Sequence, residues 1–363
     1  MAVMIREDSL MVANNRRPAA KPDLIDEPLQ FNSFLRTQVW GGHALAEFYG
    51  KRPPASPLAV QGTEVPIGES WEVCGLPEQP SIVLTGAYAG QTLTDLWNTR
   101  SQDLLGKPNS SPVFPLFVKW LDCQDYLSVQ VHPNDAVAQQ VLGQTCGKSE
   151  AWVVVHAEPT AKIYAGLRPG VTAEELLDRV ARGTVEECLH SFQPKTGDCI
   201  SLPAGTIHSA GGGVVFAEVQ QPSDLTFRLF DWNRVGLDGK PRPLHLEMAM
   251  QSITWPQQPV SPMKPVPIPG QDETQGEVLL KTPQFELERY TVGNSWPQPH
   301  SGEMTIWMVL EGEAVLDGAG YSPHLFLERG STVMIPAGTK NSEWASADAL
   351  APCQLLCVRL PAA

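Results

Sequence analysis

Three short stretches of this chain carry the residue types from which a metal-dependent active site is built. Gln130 and His132 stand one residue apart in a segment that reads as a β-strand, and Lys148 and Glu150 have the same spacing at the start of another. Alternate side chains of a strand share a face, so each pair can point into one interior. His208 closes a Leu202-Pro-Ala-Gly-Thr-Ile-His208 turn. Gln130, His132, Glu150 and His208 together offer two imidazoles, one carboxylate and one amide oxygen. That set suits zinc, or another first-row divalent ion, with positions left open for water or substrate. Lys148 is expected to face the same cavity as Glu150. There it either shuttles a proton, if burial and a nearby ion lower its pKa, or stabilises negative charge. Singly, each residue has an ordinary alternative: a structural histidine before proline, a solvated glutamate or lysine, a surface amide, a loop-capping His208. The expectation of a site rests on their combination.

The elements that must position these residues are mostly short strands. Ser128–His132, Ala151–Val155, Lys162–Ala165, Val214–Val219, Ile306–Val309 and Thr332–Ile335 read as strands, and 30 glycines and 33 prolines punctuate the chain. This pattern predicts a mainly β fold of the sandwich or jelly-roll kind. Helices are expected at Leu93–Leu105 and Leu244–Ile253. Two more are expected after the capping patterns Thr172-Ala-Glu-Glu175 and Thr184-Val-Glu-Glu187, around Leu176–Ala181 and Cys188–Phe192.

Six prolines between Pro256 and Gly270 predict a stiff extended connector. It divides residues 28–255 from residues 271–363, with residues 1–27 read as a loose tail. The two parts echo one another. Leu202-Pro-Ala-Gly-Thr-Ile-His208 matches Ile335-Pro-Ala-Gly-Thr-Lys-Asn341, and Ala151-Trp-Val-Val-Val155 resembles Ile306-Trp-Met-Val-Leu310. Such repeats imply duplication of one barrel.

Bulk properties set further bounds. The 363 residues suffice for two domains, and 18% charged against 42% hydrophobic residues is a globular composition. A formal net charge of −14 argues against nucleic acid, yet leaves room for a small phosphate opposed by a few local cations. The seven cysteines include no CxxC pair, which fits a reducing compartment better than a disulfide framework. No apolar run suggests a signal peptide or a membrane span, so the expected location is the cytoplasm.

Pro115-Leu-Phe-Val-Lys-Trp-Leu-Asp122 and Leu127-Ser-Val-Gln-Val-His-Pro-Asn-Asp135 closely resemble the signature of type I phosphomannose isomerases. So do Gly147-Lys-Ser-Glu150, the Pro-Ala-Gly turn through Ser209, and Thr226-Phe-Arg-Leu-Phe-Asp-Trp-Asn-Arg234. Trp40-Gly-Gly42 and Gly68-Glu-Ser-Trp-Glu72 fit the family's N-terminal pattern. The resemblance runs from about Leu29 to near the C-terminus and is greatest to the shorter bacterial branch. It implies two cupin-type jelly-roll barrels, with a few short helices inserted in and around the first. It also implies interconversion of mannose 6-phosphate and fructose 6-phosphate through an enediolate, with one zinc ion per chain. The family's ligands fall on Gln130, His132, Glu150 and His208, its catalytic arginine on Arg228 and its active-site lysine on Lys148. Some longer relatives have a histidine before that lysine, where this chain has Gly147, so the identity of the base stays open.

Asp231 is a second acid/base candidate, or an ion-pair partner of Arg228 or Arg234. Lys119 and Arg234 are candidates for the substrate phosphate, or solvated charges. Two competing functions remain: an iron-dependent cupin dioxygenase, which the glutamine ligand and Arg228 disfavour, and a non-enzymatic sugar-phosphate sensor, which degraded ligands would favour. The second domain is expected to bind no metal. Aligning Trp152 with Trp307 sets Glu150 against Thr305 and Lys148 against Glu303, and the shared turn sets His208 against Asn341. His300 and His324 are read as surface or core histidines outside any Gln-x-His pair.

Overall fold

The computed structural model describes residues 24–52, 66–269, 276–318, 324–348 and 350–361. The tail through residue 23 and Gly270 of the connector lie outside the described residues. The described residues of the first part form eleven strands: β1 (Phe34–Gly42), β2 (Ile67–Cys74), β3 (Phe117–Cys123), β4 (Val129–Val131), β5 (Glu150–Ala157), β6 (Lys162–Leu167), β7 (Leu189–Phe192), β8 (Cys199–Leu202), β9 (His208–Gly211), β10 (Val214–Gln220) and β11 (Phe227–Phe230). They build a six-stranded sheet, β1-β2-β3-β10-β5-β8, and a five-stranded sheet, β11-β4-β9-β6-β7.

The rest contributes β12 (Val266–Pro267), β13 (Gly276–Lys281), β14 (Glu286–Val292), β15 (Trp296–Pro297), β16 (Thr305–Glu311), β17 (Ala314–Gly318), β18 (Leu325–Leu327), β19 (Thr332–Ile335), β20 (Ser342–Ser346) and β21 (Cys353–Arg359). Their sheets run β12-β13-β14-β21-β16-β19 and β15-β20-β17-β18. The six-stranded order repeats that of the first domain strand for strand. Trp152 on β5 is paired with Glu218 on β10, which is paired with Lys119 on β3. In the second domain the corresponding row is Trp307, Cys357 and Glu288.

Alternation along the central strands places the cores. Val118 and Trp120 on β3, Val153 and Val155 on β5, Ile306 and Met308 on β16, and Leu356 and Val358 on β21 belong to one apolar layer between the two six-stranded sheets. The opposite faces fill the interiors: Leu121, Trp152 and Phe216 in the first domain, Tyr290, Trp307 and Trp344 in the second. Strands buried on both faces read as continuous hydrophobic runs, as these do. Each large side chain fully removed from water contributes roughly 1.5–3 kcal/mol, so the shared layer fastens the second domain onto the first. Trp120 crosses it, donating from Nε1 to the carbonyl of Gly330 at 3.0 Å.

The helices are α1 (Ala44–Phe48), α2 (Leu93–Leu105), α3 (Asp135–Leu142), α4 (Ala173–Arg182) and α5 (Leu246–Ser252). Thr172 caps α4 by accepting from the Glu175 amide at 3.2 Å. The second capping pattern does not open the expected helix. Val185–Cys188 forms a single 3-10 turn, Thr184 makes no side-chain cap, and Leu189–Phe192 is the edge strand β7. Pairing of Ile163 and Tyr164 with Phe192 and Ser191 overrides the local helical signal. The helices α1 and α3 were not legible as periodic segments; each is at most eight residues long.

Candidate active site

The four proposed ligands arrive from three neighbouring structural units. Gln130 lies on β4 and is paired in register with His208 on β9. His132 follows β4, and Glu150 opens β5 on the facing sheet. The Pro-Ala-Gly turn aims His208 inward: Gly205 has a φ of +88°, its amide donates to the His132 carbonyl at 2.8 Å, and an added Cβ would collide with Thr254. His132, Glu150 and His208 are 1%, 2% and 1% exposed, and their ligand atoms lie within 4.8 Å of one another.

The hydrogen bonds behind the two imidazoles fix their tautomers. His132 Nδ1 donates to the Leu225 carbonyl at 2.7 Å and His208 Nδ1 to the Thr206 carbonyl at 2.8 Å. Both Nε2 atoms therefore carry lone pairs, and a carbonyl behind each ring raises its basicity as a ligand. They stand 3.4 and 3.2 Å from the two oxygens of Glu150. Neither carboxylate oxygen has a hydrogen-bond partner of acceptable geometry. Lys148 Nζ lies 2.7 Å from Glu150 Oε2 and 3.3 Å from His132 Nε2. Burial, then the Lys148 ammonium, pushes His132 down to about 3. Burial alone would raise Glu150, but the Lys148 ammonium holds it well below the usual carboxylate range. The result is a buried anion facing two imidazole lone pairs, an arrangement that calls for a cation.

Gln130 turns its amide nitrogen toward His208 Nε2 at 3.2 Å, while its oxygen accepts from Ser128 at 3.2 Å. The reverse amide orientation, nearly isosteric with this one, presents Oε1 to an ion. Gly147 packs so closely on Pro133 that an added Cβ would collide with the Pro133 carbonyl. The backbone before Lys148 thus leaves no room for a histidine side chain.

Beside this cluster opens a cavity of about 290 Å³, lined on one side by Gln130 and Lys148 and elsewhere by Arg36, Lys119, Arg228 and Arg242. Arg228 on β11 is the cross-strand neighbour of Gln130, so Arg228, Gln130 and His208 form a row across three strands. Its Nε is buried without a partner among the described residues, and burial, then Arg242, lowers its pKa. Lys119 also lines the cavity but is committed elsewhere: Nζ lies 3.1 Å from Glu218 and 4.0 Å from Glu69. Burial would lower its pKa, and Glu218 and Glu69 more than reverse that. Asp231 and Arg234 are not among the cavity-lining residues. Asp231 pairs with Arg234 at 2.9 Å and Arg242 at 2.5 Å, and Arg234 reaches on to Asp125 at 3.1 Å. Four charged cavity residues went unnoticed in the sequence: Arg36, Glu218, Asp224 and Arg242. Arg242 sits in a Lys-Pro-Arg-Pro loop without periodicity. Glu218 carried a usable signal, a charge within the apolar run Val214–Val219.

The comparisons with known proteins agree with this geometry. The sequence profile of the phosphomannose isomerase type I catalytic domain matches residues 29–149. The mannose-6-phosphate isomerase of Streptococcus mutans is 32% identical over 287 residues, 79% of this chain and 86% of its own. The chain belongs to the type I phosphomannose isomerase family. Membership marks it as an aldose–ketose isomerase. Mannose-6-phosphate isomerase ManA of Bacillus subtilis is 34% identical over 319 residues, covering 86% of this chain and 94% of that protein. The crystal structure of the mannose 6-phosphate isomerase from Bacillus subtilis superposes with a TM-score of 0.81 at 25% identity, covering 92% of this chain and all of that one.

A second group of potential ligands lies in the other domain: Glu288, His300 and Cys357. His300 does stand in a Gln-x-His spacing, Gln298-Pro-His300, contrary to the reading of it as an unpaired histidine. Gln298 takes a place like that of Gln130, its amide bonded to the Ser342 carbonyl at 2.9 Å. Here, however, the carboxylate is satisfied. Glu288 Oε2 accepts from His300 at 2.5 Å and Tyr290 at 2.7 Å, and Oε1 faces Arg359 at 3.3 Å. Thr305, at the position of Glu150, accepts from Gln298 and Trp307. Burial, then Glu288, keeps the Cys357 thiol well above its ordinary range.

Proposed function

We propose that the chain interconverts mannose 6-phosphate and fructose 6-phosphate at the cavity beside His132, Glu150 and His208, with one zinc ion per chain. The observation that carries this reading is the buried Glu150, whose two oxygens, one of them also ion-paired with Lys148 at 2.7 Å, face the Nε2 atoms of two histidines at 3.4 and 3.2 Å. Gln130, His132, Glu150 and His208 would hold the ion. When bound, it supplies Lewis-acid stabilisation to the oxyanion that develops on the sugar.

The chain's own residues have distinct tasks. The reaction breaks the C2–H bond, forms a C1–H bond and shifts the hydroxyl proton from O2 to O1, so neither oxidant nor reductant enters. Lys148, on the cavity wall beside the ligands, is the group proposed to move the carbon-bound proton, taking it from C2 as the neutral amine and returning it to C1 from the ammonium. Arg228, one strand from Gln130 and with its buried Nε unpartnered among the described residues, holds the enediolate oxygen through its planar donors. Asp231 serves the arginines rather than the proton, because both its oxygens are engaged.

The second domain carries no ion in this account. Its carboxylate is already neutralised by Arg359 and hydrogen-bonded, and its apolar face covers the back of the catalytic sheet. The seven unpaired cysteines support a reducing, cytoplasmic setting, and no helix among the described residues is long and apolar enough to cross a membrane. A coupled assay of mannose 6-phosphate turnover, run with an oxygen electrode, tests the reading. Ketose 6-phosphate formation without oxygen uptake is expected; oxygen consumption without isomerisation would overturn it.

A further inference from the structure

The substrate named above carries a dianionic phosphate, and the cavity offers five cations to receive it: Arg36, Lys119, Lys148, Arg228 and Arg242. Three are already engaged there by cavity or ligand carboxylates. Lys119 lies between Glu218 and Glu69. Lys148 is 2.7 Å from Glu150. Arg36 lies over the Trp71 ring, 3.4 Å from Asp224 and 3.8 Å from Glu69.

Arg228 and Arg242 remain, and they differ in place. Arg228 is the direct neighbour of Gln130, at the end of the cavity where the carbonyl chemistry occurs. Arg242 lies farther along the chain, in the loop after β11, and is anchored by Asp231 just beyond that strand. Asp231 accepts from Arg242 Nε at 2.7 Å and from Nη2 at 2.5 Å, and among the described residues Nη1 has no partner. A guanidinium held along one edge presents its remaining donors in a fixed direction, the geometry that suits a phosphate oxygen. Asp231 does not neutralise it alone, since the same carboxylate also binds Arg234, which draws on Asp125 as well. Arg242 is close enough to lower the pKa of Arg228, so two guanidinium charges repel across the cavity until an anion joins them.

We propose that Arg242 is the specificity-determining cation for the 6-phosphate and that Asp231 is its positioning residue. The sugar then lies with C1 and C2 toward Gln130 and Lys148, Arg228 alongside, and the phosphate at Arg242. This rests on the isomerase reading.

The test is steady-state kinetics with mannose 6-phosphate, together with calorimetric binding of inorganic phosphate, on wild type, Arg242→Gln, Arg242→Lys and Asp231→Asn. A lost charge-assisted contact predicts a tenfold to hundredfold higher KM in Arg242→Gln, with kcat changed at most a few-fold. Phosphate binding should weaken by a similar factor. Arg242→Lys should recover part of both losses, and it carries the test if the glutamine variant does not fold. Asp231→Asn should shift KM in the same direction by less. An unaltered KM and phosphate affinity in the Arg242 variants, or a fall in kcat with KM intact, would overturn the assignment. A wild-type protein that binds phosphate through Arg242 yet turns over no mannose 6-phosphate would sink the isomerase reading and leave the phosphate site standing.

Discussion

Lys119→Met gives a sharp test of how the cavity wall is built. Lys119 is 3% exposed, and its ammonium faces Glu218, also 3% exposed, and Glu69, at 9%. Among the described residues Glu218 is otherwise tied only by Trp152 Nε1 at 3.0 Å, whereas Glu69 accepts from Gln38 at 2.8 Å and Trp71 at 2.7 Å. Methionine keeps the length of the side chain and removes its charge, leaving two carboxylates in one low-dielectric wall. Removing one partner of a buried ion pair costs about 3–5 kcal/mol. For a domain of this size, each kcal/mol corresponds to roughly 2–4 °C, so the melting temperature should fall on the order of 10 °C. Denaturant unfolding followed by tryptophan fluorescence measures the free-energy loss, and thermal unfolding the shift in melting temperature. The double variant with Glu218→Gln should recover much of the deficit. A loss below about 1 kcal/mol, accompanied by a KM for mannose 6-phosphate raised tenfold or more, would refute the reasoning. Lys119 would then be a phosphate ligand and not a wall cation.

Two other substitutions separate the roles of neighbouring groups. Arg228→Ala should lower kcat at least about a hundredfold, the scale of one lost oxyanion donor, with metal content intact by elemental analysis; normal turnover would make Arg228 structural. Glu288→Gln should leave the metal content at one ion per chain, because that carboxylate already serves Tyr290, His300 and Arg359. Burial would raise the Glu288 pKa, but the His300 and Tyr290 hydrogen bonds lower it overall. The stability this carboxylate adds is thus present above its unfolded pKa and lost as pH falls through the folded one. Wild type and variant should differ in denaturant midpoint at pH 7 and converge in acid; a difference that is constant with pH would contradict this.

Much of the site was legible because period-two spacing is a strong signal. Gln130, His132, Lys148 and Glu150 lie on or beside strands whose alternation fixes the face each side chain takes, and the Pro-Ala-Gly turn has little freedom in where it sends His208. The repeated domain was legible for the same reason, through Trp152 and Trp307 at one register position. What spacing could not supply was partnership across sheets. That Lys119 lies between two glutamates depends on β2, β3 and β10 lying side by side, which no local pattern states. Arg242 reaches the cavity from an irregular loop and acquires meaning only through Asp231. The Thr184 pattern misled because strand pairing, not capping, governs Leu189–Phe192. Gln298-Pro-His300 has the same period-two spacing and was readable in the sequence; what emerges only in three dimensions is that its neighbouring carboxylate, Glu288, is already satisfied.

The central claim is that Gln130, His132, Glu150 and His208 hold one ion on which mannose 6-phosphate isomerisation depends. It is tested most directly by following metal content and turnover together through chelation and Zn²⁺ readdition, in wild type and in His208→Ala. The account predicts close to one ion per chain in wild type, activity lost and regained in step with that ion, and neither in the variant. Full turnover by rigorously metal-free protein, or two ions per chain with one surviving in His208→Ala, would contradict it.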